Sequence, residues 1–162
     1  MQKVFLRLLF AAALVLALSG TTGSQAAGPE SRAVPSGSQA PRSLRLVERA
    51  TGETVIHRTA SNDALGDLLV FANPLYDAAN VSQVGTSRGS CTRVEVGHWW
   101  DCHWTMALAG GALLVAGPYP DEGDAAFGIV GGTGHYAGAR GTITVHARDT
   151  AHQSYDFVIA LQ

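Results

Sequence analysis

The chain has 162 residues, with 13 acidic and 11 basic side chains, and 46% of its residues are hydrophobic. This size and composition fit one ordinary globular domain, because aromatic and aliphatic residues are too plentiful and charged residues too few for a disordered chain. With a net charge of −2 and no basic stripe, the sequence lacks the electrostatic footprint of a nucleic-acid-binding protein.

The first 26 residues have the pattern of a secretory signal peptide. Lys3 and Arg7 form a basic start, residues 8–18 are apolar, and residues 24–26 offer small side chains for cleavage after Ala26. The apolar run of about 11 residues is shorter than the roughly 20 that span a bilayer. We therefore predict a secreted protein with no membrane segment after cleavage.

Cleavage would leave nine arginines against thirteen acidic residues, a balance of −4, and would remove the only lysine. Schiff-base chemistry on a lysine side chain is thereby excluded. Residues 27–42 are rich in Gly, Pro and Ser and have almost no apolar periodicity, which predicts a flexible leader. The ordered domain is then expected over residues 43–162.

From residue 43 onward the pattern predicts an all-β domain. β-branched and aromatic residues cluster in short runs separated by Gly, Asn and Asp, and no window has apolar residues at helical spacing over three turns. Antiparallel strands in this order can form a barrel or a two-sheet sandwich. The predicted strands are 43–49, 54–58, 67–73, 83–96, 99–109, 112–117, 125–131, 138–148 and 153–161.

The two cysteines lie on consecutive predicted strands. A hairpin centred near residues 96–97 places Cys91 opposite Cys102, within the range of a disulfide. An oxidising compartment favours the bond, so we predict that Cys91 and Cys102 are bridged. A metal pair with His98 or His103 lacks the usual ligand spacing.

Strand alternation predicts which side chains face the interior. If Cys102 points inward, Trp100, Trp104 and Met106 lie on the same face. Phe157 lies on the apolar face of the last strand. These four residues are predicted to contact a ligand, and the alternative is that they form a filled core.

Several phrases in a fixed order resemble the allene oxide cyclase and dirigent superfamily. The resemblance implies an eight-stranded antiparallel barrel with an apolar cavity, and so favours the barrel over the sandwich. Independently of the resemblance, Gly131, Gly132 and Gly134 permit the positive φ of a tight reversal between strands, and Gly138 and Gly141 relieve crowding where a twisted strand enters the barrel. The phrases are 66–73 (GDLLVFAN), 75–76 (LY), 84–85 (VG), 89–91 (GSC), 117–119 (GPY), 129–134 (IVGGTG) and 138–141 (GARG).

The resemblance also implies candidate catalytic residues. Asn73 stands where the cyclases have an asparagine that helps hold a water on the substrate oxygen, and Tyr119 matches a cavity tyrosine. Cys91 matches a cavity cysteine. The alternative is that Asn73, before Pro74, is a turn residue and that Tyr119 begins a loop.

One departure from the cyclases concerns an acid on the first strand. Their Glu-x-Asn aligns with residues 45–47 (RLV), so the acid is expected to be missing. Glu48 is nearby, but its strand parity is opposite to that of Arg45 and Val47, and it could serve only after a register slip or a bulge. The plant reaction on a fatty-acid epoxide is therefore not predicted.

The first functional hypothesis is a secreted barrel that binds a small hydrophobic molecule and directs its cyclisation or coupling by shape. The alternative is a non-catalytic ligand-binding or structural barrel. No metal-ligand or catalytic-triad pattern stands out, so we predict no metal and no cofactor. Arg93 and Glu95 share the parity of Cys91 and could pair at a barrel mouth. The resemblance also implies a homo-oligomer.

Overall fold

A computed structural model of the protein describes residues 42–162, which form nine strands and no helix. None of these residues belongs to a helix that could cross a membrane. The predicted signal peptide, residues 1–26, and residues 27–41 of the predicted leader lie outside the described part. The strands are β1 (Ser43–Arg49), β2 (Glu53–Ile56), β3 (Leu68–Asp77), β4 (Gln83–Glu95), β5 (Trp99–Leu108), β6 (Gly111–Pro120), β7 (Ala125–Gly134), β8 (Gly141–Ala147) and β9 (Ser154–Leu161).

The strands close into an antiparallel barrel. Each strand from β3 to β8 pairs with the next, β9 pairs with β1, and β1 pairs with β3, which closes the ring. Eight strands surround the interior because β1 and β2 together occupy one position beside β3. The all-β prediction and the preference for a barrel over a sandwich are confirmed.

A break in register separates β1 from β2. Glu48 pairs with Leu75, whereas Glu53 pairs with Phe71. The two partners on β3 are therefore four positions apart, whereas Glu48 and Glu53 are five positions apart along the segment from β1 to β2. The segment between β1 and β2 thus forms an irregular bulge. After it, β2 pairs with the first part of β3, whereas β1 pairs with the last part.

The alternation predicted for β5 is confirmed. Inward-facing residues from Trp100 to Met106 are buried, and the residues between them are exposed. Cys91 and Cys102 lie directly opposite each other and are joined by a disulfide with a Cα–Cα distance of 4.0 Å. The predicted disulfide is therefore present, and it ties β4 to β5 at the barrel wall.

Several predicted boundaries were wrong. β3 extends through Pro74 to Asp77, β6 extends to Pro120, and β7 extends to Gly134. Pro74 lies between the stretches of β3 that pair with β2 and with β1, a position where a missing N–H is tolerated. Asn73 and Tyr119 therefore lie within strands, and the turn and loop alternatives for them are wrong.

The glycine-rich phrase at residues 131–134 forms the end of β7 rather than the predicted turn. Among its glycines only Gly134 has a positive φ, of 59°. A Cβ at Gly132 would lie 2.2 Å from the carbonyl oxygen of Tyr136, because the chain folds back over the strand at this point. The glycines thus permit a close approach as well as a reversal.

Candidate functional site

The barrel encloses a cavity of about 280 Å³. This volume is near the lower end of the range of small-molecule sites, about 300–1,000 Å³. Polar and acidic groups are grouped on β1 to β4, Tyr155 lies beside Glu48 on β9 and Tyr119 lies on β6, and most of the remaining wall is apolar. The lining residues are Glu48, Glu53, Val55, Leu69, Phe71, Asn73, Ser87, Cys91, Cys102, Trp104, Tyr119, Phe127, Val145, Tyr155 and Phe157.

Aromatic rings build much of the apolar wall. The indole of Trp104 meets the ring of Phe127 edge to face, with 4.6 Å between their centroids. The rings of Phe71 and Phe157 each lie 6.4 Å from Trp104. These contacts fix the rotamer of Trp104, and the cavity therefore has a rigid wall.

Asn73 holds together the bulge between β1 and β2. Its Oδ1 accepts hydrogen bonds from the backbone N–H groups of Thr51 and Gly52, at 3.0 and 2.9 Å. Its Nδ2 donates to Glu48 Oε1 at 3.1 Å. Asn73 therefore positions both Glu48 and the bulge.

Glu48 lies inside the barrel with 6% of its surface exposed. Leu44, Leu46 and Glu48 form the inward face of β1, whose pairing with β9 is regular from Ser43 to Arg49. The expectation that the site lacks an acid is therefore wrong, and Glu48 needs neither a slip nor a bulge to reach the interior. The error was to take Arg45 and Val47 as the inward positions.

Burial raises the pKa of Glu48, because the charged carboxylate is poorly solvated inside the barrel. Hydrogen bonding from Ser87 and Asn73 opposes this shift, and the nearby charge of Glu53 adds to it. A raised pKa is a common property of carboxyl groups that transfer protons at functional sites.

Three buried polar atoms of the cavity wall lack a hydrogen-bond partner of good geometry. They are Glu48 Oε2, Ser87 Oγ and Trp104 Nε1. A buried polar group without a partner costs about 1–3 kcal/mol. Ser87 is close enough to Glu48 for hydrogen bonding to lower the pKa of that carboxyl, so Trp104 Nε1 is the atom of this set that lacks a nearby partner. All three groups could bind a polar group of a ligand in the cavity.

Two tyrosines and a second acid lie at the open side of the cavity. Burial raises the pKa values of Tyr119 and Tyr155, and their hydroxyls interact with each other. Glu53 on β2 is exposed, yet partial burial still raises its pKa. Since an exposed side chain also lines the cavity, the cavity opens to solvent beside β2.

Four of the six predicted site residues line this cavity: Asn73, Tyr119, Trp104 and Phe157. The structure places the other two, Trp100 and Met106, in the packed core outside the lining. Trp100 Nε1 donates to Asp121 at 3.1 Å, and Met106 is fully buried. For these two residues the filled-core alternative is the one observed.

The expected pairing of Arg93 with Glu95 does not occur. A bulge between these two residues shifts the end of β4. Arg93 is buried and binds Asp63 and Asp121, with N–O distances of 2.7 and 2.6 Å. Its guanidinium lies 4.0 Å from the ring centroid of Trp100. Arg93 thus fastens the 57–67 loop and the β6–β7 loop to the β4–β5 hairpin.

Sequence reasoning missed Glu48, Glu53, Ser87 and Tyr155 as site residues. Ser87 has the parity of Cys91, so alternation alone could have placed it on the inner face. Alternation does place Tyr155 inward with Phe157, but it did not single out Tyr155 as a site residue. Among residues 42–162 no group of three or more His, Cys, Asp and Glu side chains is arranged to hold a metal ion.

A closed antiparallel barrel of this size with an internal apolar cavity has room for one small ligand. Residues 33–162 match the family described as Dirigent-like protein. The chain belongs to this family, within the superfamily that the sequence phrases indicated. Among curated proteins, none matches the sequence significantly.

Solved structures share the fold. A pyocyanin demethylase is 22% identical, with a TM-score of 0.65, and the match covers 74% of this chain and 99% of that one. A pterocarpan synthase dirigent protein is 17% identical, with the same TM-score and coverages of 74% and 92%. A Diels-Alderase from Streptomyces koyangensis is 18% identical, with a TM-score of 0.58 and coverages of 74% and 63%.

Proposed function

We propose that this barrel binds a small, mostly apolar molecule in its cavity and directs the cyclisation or coupling of that molecule. The observation that carries the proposal is an otherwise apolar cavity whose wall contains the buried polar groups of Glu48, Ser87 and Trp104. Two neighbours of the same fold, named as a pterocarpan synthase dirigent protein and a Diels-Alderase, support a role in ring formation or coupling.

In this proposal the cavity acts first by shape. Rigid aromatic walls hold a flexible or reactive ligand in a near-attack conformation, which lowers the entropic part of the barrier. Glu48 then exchanges a proton with the ligand: its acid form donates, and its carboxylate accepts. Asn73 positions Glu48, and Tyr119 offers a hydrogen bond at the open side. The role of Asn73 is therefore indirect.

Tryptophan fluorescence tests ligand binding directly. We expect saturable quenching when the oxidised protein is titrated with a panel of polyenes, fatty-acid derivatives, phenolics and flat heteroaromatic compounds, because Trp104 lines the cavity. Trp104→Phe keeps an aromatic wall but removes this reporter, so most of the signal should disappear. A flat response across the panel, with no heat of binding by calorimetry, would contradict the proposal.

Product analysis separates catalysis from binding. A bound compound is incubated with the wild-type protein and with Glu48→Gln, and the products are resolved by chiral chromatography. A single product isomer that forms faster with the wild type supports directed chemistry. Recovery of unchanged ligand from both proteins would favour the non-catalytic binding barrel.

We also propose that the protein is exported. The support is the basic start, the apolar run and the small residues before Ala27, together with a disulfide that an oxidising compartment favours. Expression of the full chain in a secreting bacterial host should yield an exported form that begins at Ala27, as measured by intact mass. An intracellular product that retains residues 1–26 would contradict export.

A further inference from the structure

The titratable groups of the cavity wall are acidic: two carboxyls and two tyrosine hydroxyls. Glu48 and Glu53 line it, and the lining set contains no Arg, Lys or His. Arg93 is the buried cation near this end of the barrel, and it is paired with Asp63 and Asp121 and is not part of the lining. Because fields are weakly screened inside a protein, an anionic ligand would meet two acidic groups without a counter-ion.

We infer that the cavity selects organic cations with a flat apolar body over neutral and anionic molecules of the same shape. This inference rests on the proposed function, since it names the chemical class of the ligand for the same site. It sets the ligand apart from fatty-acid carboxylates, which the lining would repel.

The aromatic walls supply the second part of the argument. An aromatic face attracts a cation by about 0.5–2 kcal/mol, and the interaction is stronger where water is excluded. Such rings also pack against a flat body of similar width. The six aromatic side chains of the lining are Phe71, Trp104, Tyr119, Phe127, Tyr155 and Phe157.

The surroundings of Glu48 contain no competing cation among the described lining residues. Glu53 faces it from β2, Tyr119 from β6 and Tyr155 from β9, while Ser87 and Asn73 contact it from β4 and β3. Without ligand, burial keeps the pKa of Glu48 raised. A cation placed beside Glu48 favours the carboxylate and lowers this pKa, so binding should release a proton.

The sign of the pH dependence follows. Above the raised pKa of free Glu48 the carboxylate is already present, and below it the cation must displace a proton. Affinity for a cation should therefore rise as the pH increases toward that pKa and then level off. Affinity for a neutral ligand of the same shape should lack this rise.

The test uses three probes with the same fused two-ring body: 1-methylquinolinium, 1-methylnaphthalene and 1-naphthoate. Dissociation constants are measured by titration of the oxidised full domain, and proton release by calorimetry in two buffers of different ionisation enthalpy. We expect the cation to bind at least about tenfold more tightly than the neutral probe, a difference of about 1.4 kcal/mol. The anion should bind most weakly.

Variants locate the effect. Glu48→Gln retains a carbonyl oxygen that can accept the hydrogen bond from Asn73, so the bulge should be preserved. This variant should abolish both the proton release on binding and the rise of affinity with pH. Glu53→Gln should reduce the preference for the cation by a smaller factor, because Glu53 is exposed. Arg88→Gln, on the outer face of β4, is the control and should leave the preference unchanged.

The outcomes separate this inference from the function on which it rests. Tighter binding of the neutral or anionic probe, or a cation preference that survives the Glu48→Gln/Glu53→Gln double variant, overturns the inference and leaves ligand binding intact. Absence of binding by these probes and by the whole fluorescence panel overturns the proposed function itself, and the charge selectivity with it.

Discussion

Arg93→Leu is expected to lower the free energy of unfolding by about 3 kcal/mol, near the lower end of the range for breaking a buried ion pair. Arg93 has 8% of its side chain exposed, whereas Asp63 and Asp121 retain 32% and 28%. Removing the cation leaves two carboxylates close together with only partial solvation. The remaining exposure of the carboxylates keeps the loss from being larger.

Thermal unfolding measures this loss. The melting temperature should fall by about 10 °C, as expected for a domain of this size. Arg88→Leu is the matched control, because Arg88 lies on the same strand with its side chain exposed, and its effect should be within about 0.5 kcal/mol. Equal effects of the two variants would contradict a structural role for the Arg93 cluster.

Loss of the disulfide should cost about as much. The bond closes a loop of 11 residues, and the chain-entropy model assigns about 3 kcal/mol to a loop of similar length. The double variant Cys91→Ala/Cys102→Ala should therefore unfold at a lower denaturant concentration than the wild type. It should also widen the cavity, because both sulfurs lie in its wall.

A neighbouring pair controls for strand pairing. Ser90 and His103 lie opposite each other one position along the same strands, and both side chains are at the surface. Ser90→Ala/His103→Ala should change the denaturation midpoint little. A disulfide-free variant as stable as the wild type in non-reducing conditions would contradict the predicted contribution of the bond.

Several features of the barrel could be predicted from the alternation and spacing of residues along the sequence. Every second residue from Trp100 to Leu108 in β5 and from Tyr155 to Leu161 in β9 is apolar or aromatic, and this alternation placed Trp104 and Phe157 on the inner face. The opposition of Cys91 and Cys102 followed from counting through a hairpin. These features depend on period and spacing, which a single sequence carries directly.

The polar end of the site depended on long-range geometry. Asn73 was a candidate from resemblance, but its contacts with Thr51, Gly52 and Glu48 arise from a bulge that brings three chain segments together. Nothing local in the sequence fixes such a bulge. The sequence alone also did not determine which alternate residues of β1 face inward. Choosing Arg45 and Val47 placed Glu48 on the outer face.

Trp100 shows a different reason for failure. Alternation correctly predicted that its side chain points inward, but an inward position can belong to the core or to the cavity. Trp100 belongs to the core because Asp121 accepts a hydrogen bond from its indole N–H and the guanidinium of Arg93 lies over its ring. Both partners depend on loops whose conformations the strand pattern does not determine.

The most direct test of a ligand-filled cavity is a titration with the strongest ligand of the panel against Val145→Phe. Val145 lines the cavity from β8, while Thr144 on the same strand points outward, so Thr144→Phe adds the same bulk outside the barrel. We predict at least about a hundredfold weaker binding, about 2.8 kcal/mol, for Val145→Phe alone, with both variants folded by thermal melting. Equal affinity for the wild type and the folded Val145→Phe variant would show that the ligand binds elsewhere.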